Sequence, residues 1–422
     1  MLIEFSVSNF RSFREKQTLS MVAAPRLRKR ENVFKPELTG EAFPDLLKVA
    51  VIYGPNASGK SNLLKALDVI GRIATLAPTN SDTPLPVTPF CFDPELADQP
   101  SLFELHFIEA DVRYQFNVAV TADRVVSEKL SAFPKGQESL LYERSHTVDG
   151  EGYVFGQNLV KALGIEVLEA WKKLTPPKLF FIAQAVANSS ESLDSLRQPF
   201  QWIKGLMSCV LLDGMGESAK IAQRLAASND RIANSMASFL DEVDVPISKI
   251  TVKTTKSPGL GMRLLSGDVT ETLASHASHQ KTETILTHQT ALGSADLSFE
   301  NESEGTKNLI GFWVPWFIKN SSDVSVLVVD ELDSSLHPKI VAAIVEKHIH
   351  LETASQLIFT THDTHLMDAK LLRRDQFWIT ERDINGATQL RAIHDFEGRD
   401  SEDIEKRYYE GRYRGLPILK RG

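Results

Sequence analysis

The octapeptide Gly54-Pro55-Asn56-Ala57-Ser58-Gly59-Lys60-Ser61 constrains this chain more than any other stretch. It fits G-x-x-x-x-G-K-[ST], and its flanks give the match its meaning. Before it, Lys48–Tyr53 reads KVAVIY, a short continuous apolar run that predicts a strand buried on both faces. After it, SNLLKALDVIGRIATL places Leu63, Leu64, Leu67 and Ile70 on one face of a helix. Glycines let successive backbone N–H groups converge on a phosphate. Gly54, Asn56, Ala57, Ser58, Gly59, Lys60 and Ser61 are therefore candidate nucleotide contacts, with Lys60 bridging β- and γ-oxygens and the Ser61 hydroxyl on Mg²⁺. A strand–phosphate loop–helix unit predicts an α/β fold.

Two later strands supply what a phosphate site lacks. Ser325–Glu331 reads SVLVVDE, which predicts a central strand delivering acids at its C-terminal edge, where open α/β sheets bind ligands. Asp330 is a candidate metal contact, and Glu331 a candidate to polarise an attacking water. The run SQLIFTT then ends at His362, 31 residues after Glu331, placing a histidine beside the same edge. Upstream, the polar turn Ser303-Glu304-Gly305-Thr306 opens an apolar helix. A helix start with unpaired N–H groups is a second place for a phosphate. Pro315 falls within that helix and predicts a kink.

The order of these parts resembles the ABC-type ATPase heads of the branch that holds the SMC, RecF and OLD-family proteins. The resemblance implies ATP and Mg²⁺ as ligands and ATP hydrolysis, with Glu331 and His362 catalytic. It also implies that Ser303, Gly305 and Thr306 serve the nucleotide of a second protomer, so that a homodimer or larger homo-oligomer shares its sites. Glu304 stands where the family has glycine, and His337 where it has aspartate in the dimer-contact loop Ser334–His337. Gln99, Gln115 and Gln184 all stay open as the Mg²⁺-sensing glutamine, and NFRSF makes Arg11 a candidate nucleotide contact. IEFSVSNFRSF, the SEGTK turn, VVDELDSSLHP, FTTHD and the closing RYYEGRYRGLP resemble most the bacterial RloA/AbiL-type ATPases, grouped as the AAA-fifteen family. Members are commonly ATPase halves of anti-phage or abortive-infection systems, encoded beside a nuclease or other toxic effector. The implied role is a sensor or scaffold that controls such an effector. The alternatives are a RecF-like DNA-repair ATPase and an ATP-bound assembly module with little turnover.

Composition narrows the classes. The formal net charge of −8 argues against whole-surface capture of nucleic acid, although Arg26–Arg30 and Arg407–Arg414 are local basic patches and leave nucleic acid possible. No run of about 18 apolar residues predicts a membrane span. Two cysteines, Cys91 and Cys209, form no disulfide framework, which together with the charged N-terminus predicts a reduced, cytoplasmic protein. His276, His279 and His288 lie in a Ser/Thr-rich stretch that reads as a solvated loop rather than a zinc site. Only 60 residues follow His362, too few for a built-in nuclease domain of on the order of 100 residues with a two-metal acid cluster.

Periodicity divides the chain into an N-terminal half-head with an antiparallel subdomain (1–156) and a mainly helical insertion with short strands (157–290). A C-terminal half-head (291–395) and a tail (396–422) follow. The head is thus predicted as a mixed core sheet interrupted by the insertion.

Overall fold

Alternation along the first residues gives strand β1 (Leu2–Ser8), whose antiparallel partner is β2 (Gln17–Ser20). The computed structural model describes residues 1–76, 83–189, 193–206, 215–256, 280–320, 324–367, 370–398 and 402–416. A two-stranded pair, β3 (Val33–Phe34) with β4 (Leu46–Leu47), leads into β5 (Val49–Tyr53), every residue of which is buried. Helix α1 (Lys60–Ala74) follows the glycine loop and buries Leu63, Leu64, Leu67 and Ile70 as its spacing requires. Then five strands form a meander: β6 (Ser101–Glu109), β7 (Val112–Val120), β8 (Val125–Phe133), β9 (Ser139–Thr147) and β10 (Gly150–Phe155). They join β1 and β2 in a seven-stranded antiparallel sheet ordered β10-β9-β8-β7-β6-β1-β2.

Four helices follow: α2 (Gln157–Leu163), α3 (Ile165–Leu174), α4 (Phe181–Ala187) and α5 (Asp194–Gly205). Trp202 of α5 stacks on Phe107 of β6 with ring centroids 4.1 Å apart, and Phe180 meets Phe116 of β7 edge-on at 5.4 Å. The buried Glu128 carboxylate accepts the Phe181 and Ile182 N–H groups at 2.7 and 3.2 Å, capping α4 from the sheet.

A second compact unit spans residues 213–315. It contains α6 (Met215–Ser228), α7 (Asp230–Glu242) and a three-stranded antiparallel sheet of β11 (Ile247–Lys256), β12 (Gln280–Thr290) and β13 (Gly293–Ser298). The start of α8 (Glu304–Asn320) also belongs to it. Close approach explains Gly311: a Cβ there would sit 2.6 Å from the Met215 carbonyl oxygen. Strands of ten and eleven residues replace the short ones expected here. The unit divides at 212/213 and 315/316, whereas periodicity put the insertion at 157–290. The reason is that helices α2–α5 have their apolar partners on the seven-stranded sheet, and an amphipathic pattern does not name its partner.

The first unit resumes with β14 (Val324–Val329), α9 (Pro338–Ile349), β15 (Ala354–Thr360), β16 (Phe377–Arg382), β17 (Thr388–Ala392) and α10 (Ile404–Tyr409). These strands and β5 form a sheet ordered β14-β15-β5-β16-β17, parallel except for the last pair. The sheet is therefore mixed, and the fold is α/β. Strand β14 is outermost among the described strands, not central as its apolar run suggests. Val326–Val329 are nevertheless all buried, because a covered outer strand has the same burial pattern as an inner one. No helix among the described residues is long and apolar enough to cross a membrane.

Candidate functional site

Parallel pairing decides where the chemistry collects. Val329 pairs with Phe359 and Thr360 with Ile52, so β14, β15 and β5 end along one edge of the sheet. Asp330, Thr360 and Gly54 stand at those three ends.

The glycine loop is shaped by walls as much as by its own freedom. Gly54 has φ 152°, and a Cβ on it would lie 2.3 Å from Thr380 Oγ1. Gly59, at φ 106°, would place a Cβ 2.1 Å from Thr388 Oγ1. Between them Ala57 adopts a left-handed φ of 61°. The Ser58 hydroxyl is 2.5 Å from Thr380 Oγ1, and the Ser58 carbonyl accepts from Thr388 Oγ1 at 2.9 Å. Lys60 is buried and folds back over the loop, its Nζ donating to the Gly54 carbonyl at 2.9 Å and the Pro55 carbonyl at 3.2 Å. Burial lowers its pKa, while Glu331, Asp330 and Asp333 oppose that shift.

The two halves of the sequence pattern meet in one hydrogen bond. Ser61 Oγ donates to Asp330 Oδ1 at 3.1 Å across 269 residues of sequence. The same oxygen accepts from Thr360 Oγ1 at 2.7 Å, and Thr360 Oγ1 in turn accepts the Glu331 N–H at 2.7 Å. Glu331 is half-buried with φ 51°, a conformation that costs a non-glycine residue about 1–3 kcal/mol and collects at functional sites. His362 is exposed, and its backbone N–H donates to Asp333 Oδ2 at 3.1 Å. The following Asp363 carbonyl accepts from Tyr53 Oη at 2.9 Å, tying this loop to the end of β5. A hydroxyl and a carboxylate in contact, beside a buried ammonium, are a donor set that fits a hydrated divalent cation on a polyphosphate.

Arg11 lies in a tight turn with φ 51° and is exposed, its guanidinium carbon 5.6 Å from the Phe10 ring centroid. The turn meets the glycine loop through its neighbour: Ser12 Oγ accepts from Asn62 Nδ2 at 2.9 Å, and the Ser12 and Thr388 hydroxyls are hydrogen-bonded at 2.7 Å. Gln115 donates to Glu104 at 2.9 Å on the antiparallel sheet, Gln184 is buried on α4, and Gln99 is exposed.

Ser303, Gly305 and Thr306 lie in the second unit. Ser303 caps α8: its hydroxyl accepts the Thr306 N–H at 3.1 Å and touches Thr306 Oγ1 at 2.9 Å. Glu304 is exposed and pairs with Lys307 at 3.0 Å, which partly compensates the acid at the helix start. The helix runs on through Pro315 to Asn320.

Other candidates resolve more plainly. His288 binds Glu302 at 2.6 Å, whereas His276, His279 and Cys209 lie outside the described residues. Among the described residues no cluster of three His, Cys, Asp or Glu could hold a metal. The tail arginines are paired: Arg407 with Glu402 at 2.6 Å, Arg412 with Glu410 at 3.1 Å and Arg414 with Glu381 at 3.3 Å. In the other patch Lys29 donates to the Leu372 carbonyl and Arg30 pairs with Asp45, while Arg26 and Arg28 are exposed.

Sequence reasoning missed Thr360, Thr380, Thr388, Ser12 and Asp333. The threonines carried one usable signal: each stands in or beside an apolar strand run, where a hydroxyl needs a partner.

Comparison with known families matches residues 49–147 and 218–368, more than half of the chain, to the AAA_21 family, described as "AAA domain, putative AbiEii toxin, Type IV TA system". The chain belongs to this AAA family. No curated protein matches this AAA-family chain. Among solved structures it is similar to the SMC head domain from Thermotoga maritima, at 14% identity and TM-score 0.41, covering 93% of this chain and 98% of that one. It is also similar to an SMC head bound to the C-terminal winged-helix domain of ScpA, at 12% identity and TM-score 0.42, covering 93% and 97%.

Proposed function

We propose that this AAA-family chain is an ABC-type ATPase that works as the sensor or scaffold subunit of a bacterial anti-phage system. In this reading it controls a separately encoded effector, a nuclease or other toxin. The observation that carries the ATPase reading is the Ser61–Asp330 hydrogen bond beside the buried Lys60. Nucleotide phosphates would replace the Gly54 and Pro55 carbonyls as partners of Lys60, and the loop N–H groups would hold the β-phosphate. Ser61 and Asp330 would hold Mg²⁺, which when bound neutralises charge on the β- and γ-oxygens. Glu331 would accept a proton from the attacking water, and His362 would hydrogen-bond the γ-phosphate.

Ser303, Gly305 and Thr306 would close over the γ-phosphate of a second copy. The start of α8 supports this, since Ser303 and Glu304 are exposed at the N-terminus of the helix. The family description names a toxin of a type IV toxin–antitoxin system, which supports a defence setting and names no separate effector. The segments SEGTK, VVDELDSSLHP and FTTHD favour the RloA/AbiL-like branch within that reading.

Mixing tests the shared site. Ser303→Arg and Lys60→Ala protomers are each expected to be inactive alone, and together to recover roughly one working site per dimer. Absence of any recovery, with both variants folded, refutes sharing. Co-purification of the neighbouring gene's product, with and without ATP, tests the effector role.

A further inference from the structure

We propose that Thr360 is a positioning residue that aligns the two acids of the phosphate site, an inference that rests on the ATPase reading above. Thr360 is completely buried and ends β15, while Asp330 and Glu331 follow the neighbouring strand β14. Its hydroxyl is used in both directions. It donates to Asp330 Oδ1 at 2.7 Å and accepts the Glu331 N–H at 2.7 Å. Its carbonyl accepts the Leu332 N–H at 3.1 Å, so one residue bonds to three consecutive residues of the acidic loop.

This accounts for two features. Glu331 holds φ 51°, and such a backbone persists only where its surroundings over-determine it. The Thr360 hydroxyl and carbonyl, gripping the N–H groups on either side of that φ/ψ pair, are the constraint. Asp330 Oδ1 receives two donors, Thr360 and Ser61, which fixes the rotation of the carboxylate and leaves Oδ2 for a hydrated divalent cation. Threonine separates packing from bonding here. Valine keeps the branched shape that a buried strand favours and loses the hydroxyl, whereas serine keeps the hydroxyl and loses a methyl.

The test is binding of a fluorescent ATP analogue, followed by anisotropy in EDTA and across a Mg²⁺ series. Thr360→Val is expected to raise the Mg²⁺ half-saturation about 10-fold or more, as loss of a hydrogen bond to a charged group predicts. Binding in EDTA is expected to stay within about twofold, because Lys60 and the loop N–H groups are untouched. Thr360→Ser is expected to restore the Mg²⁺ response to within about threefold of wild type. If Thr360→Val fails to fold, Thr360→Cys, close in volume and a weaker donor, is expected to shift the Mg²⁺ response in the same direction. A wild-type Mg²⁺ response in the valine (or cysteine) variant, or equal losses in EDTA and Mg²⁺ for both valine and serine, overturns the positioning role alone. A wild-type chain that binds no nucleotide under either condition overturns the ATPase reading together with it.

Discussion

Replacing Gly59 with alanine separates the two reasons a glycine stands in this loop. Its φ of 106° is one that side-chain-bearing residues rarely adopt, a strain of about 1–3 kcal/mol. The added Cβ would also lie 2.1 Å from Thr388 Oγ1, 2.8 Å from Thr388 Cγ2 and 2.9 Å from Ser12 Oγ. Thr388 must then move, breaking its hydrogen bonds to Ser12 Oγ at 2.7 Å and to the Ser58 carbonyl at 2.9 Å. At about 1 kcal/mol for each bond, the total comes to roughly 3–5 kcal/mol. Thr388→Ala alone loses the same two bonds and is expected to cost about 2 kcal/mol. In the double variant those bonds are already absent, so it should cost about as much as Gly59→Ala alone, a coupling of about 2 kcal/mol. Urea unfolding followed by tryptophan fluorescence measures all three. A Gly59→Ala cost below about 1 kcal/mol, or additivity within about 0.5 kcal/mol, refutes the argument that β17 is the wall behind the loop.

Lys60→Ala is expected to abolish binding of MgATP in an equilibrium binding assay, since its ammonium, held on the Gly54 and Pro55 carbonyls, is the charge that phosphates would pair with. Glu331→Gln is expected to bind ATP with near-wild-type affinity while slowing phosphate release about 100-fold or more; turnover at the wild-type rate excludes Glu331 as the base. His348 on α9 is fully buried, with Nε2 3.2 Å from the Ser355 carbonyl, and burial lowers its pKa from 6.5 to about 4. The folded state therefore excludes a proton that the unfolded chain accepts. The resulting stability is complete above pH 6.5 and is lost as pH falls toward about 4, by roughly 3 kcal/mol in all. His348→Gln should flatten that part of the stability–pH curve, and an unchanged slope would assign it to other groups.

Much of the site was legible because its chemistry is local. A phosphate loop needs glycines, a lysine and a hydroxyl within eight residues, and Gly54–Ser61 spells them out. A buried parallel strand shows itself as a continuous apolar run, so β5, β14 and β15 could be placed with the acids and the histidine that follow them. The hidden part is relational. Nothing in SQLIFTT says that its sixth residue, Thr360, faces Asp330, 30 positions away. Nor does TQLRA say that Thr388 closes the back of the loop. Helices α2–α5 show the same limit, for their amphipathic faces were clear while the sheet they cover was not.

By itself the sequence determined the strand–loop–helix unit, the glycine loop with its lysine and hydroxyl, and the alternation of the antiparallel meander, because each depends on neighbours within a few residues. Tertiary structure decided the strand order that put β15 between Asp330 and the glycine loop, and the division of the insertion between two units. It also decided that threonines from three different strands wall and bridge the site. Those outcomes follow from register and packing between segments 30 to 330 residues apart, which residue order alone does not encode in any readable period.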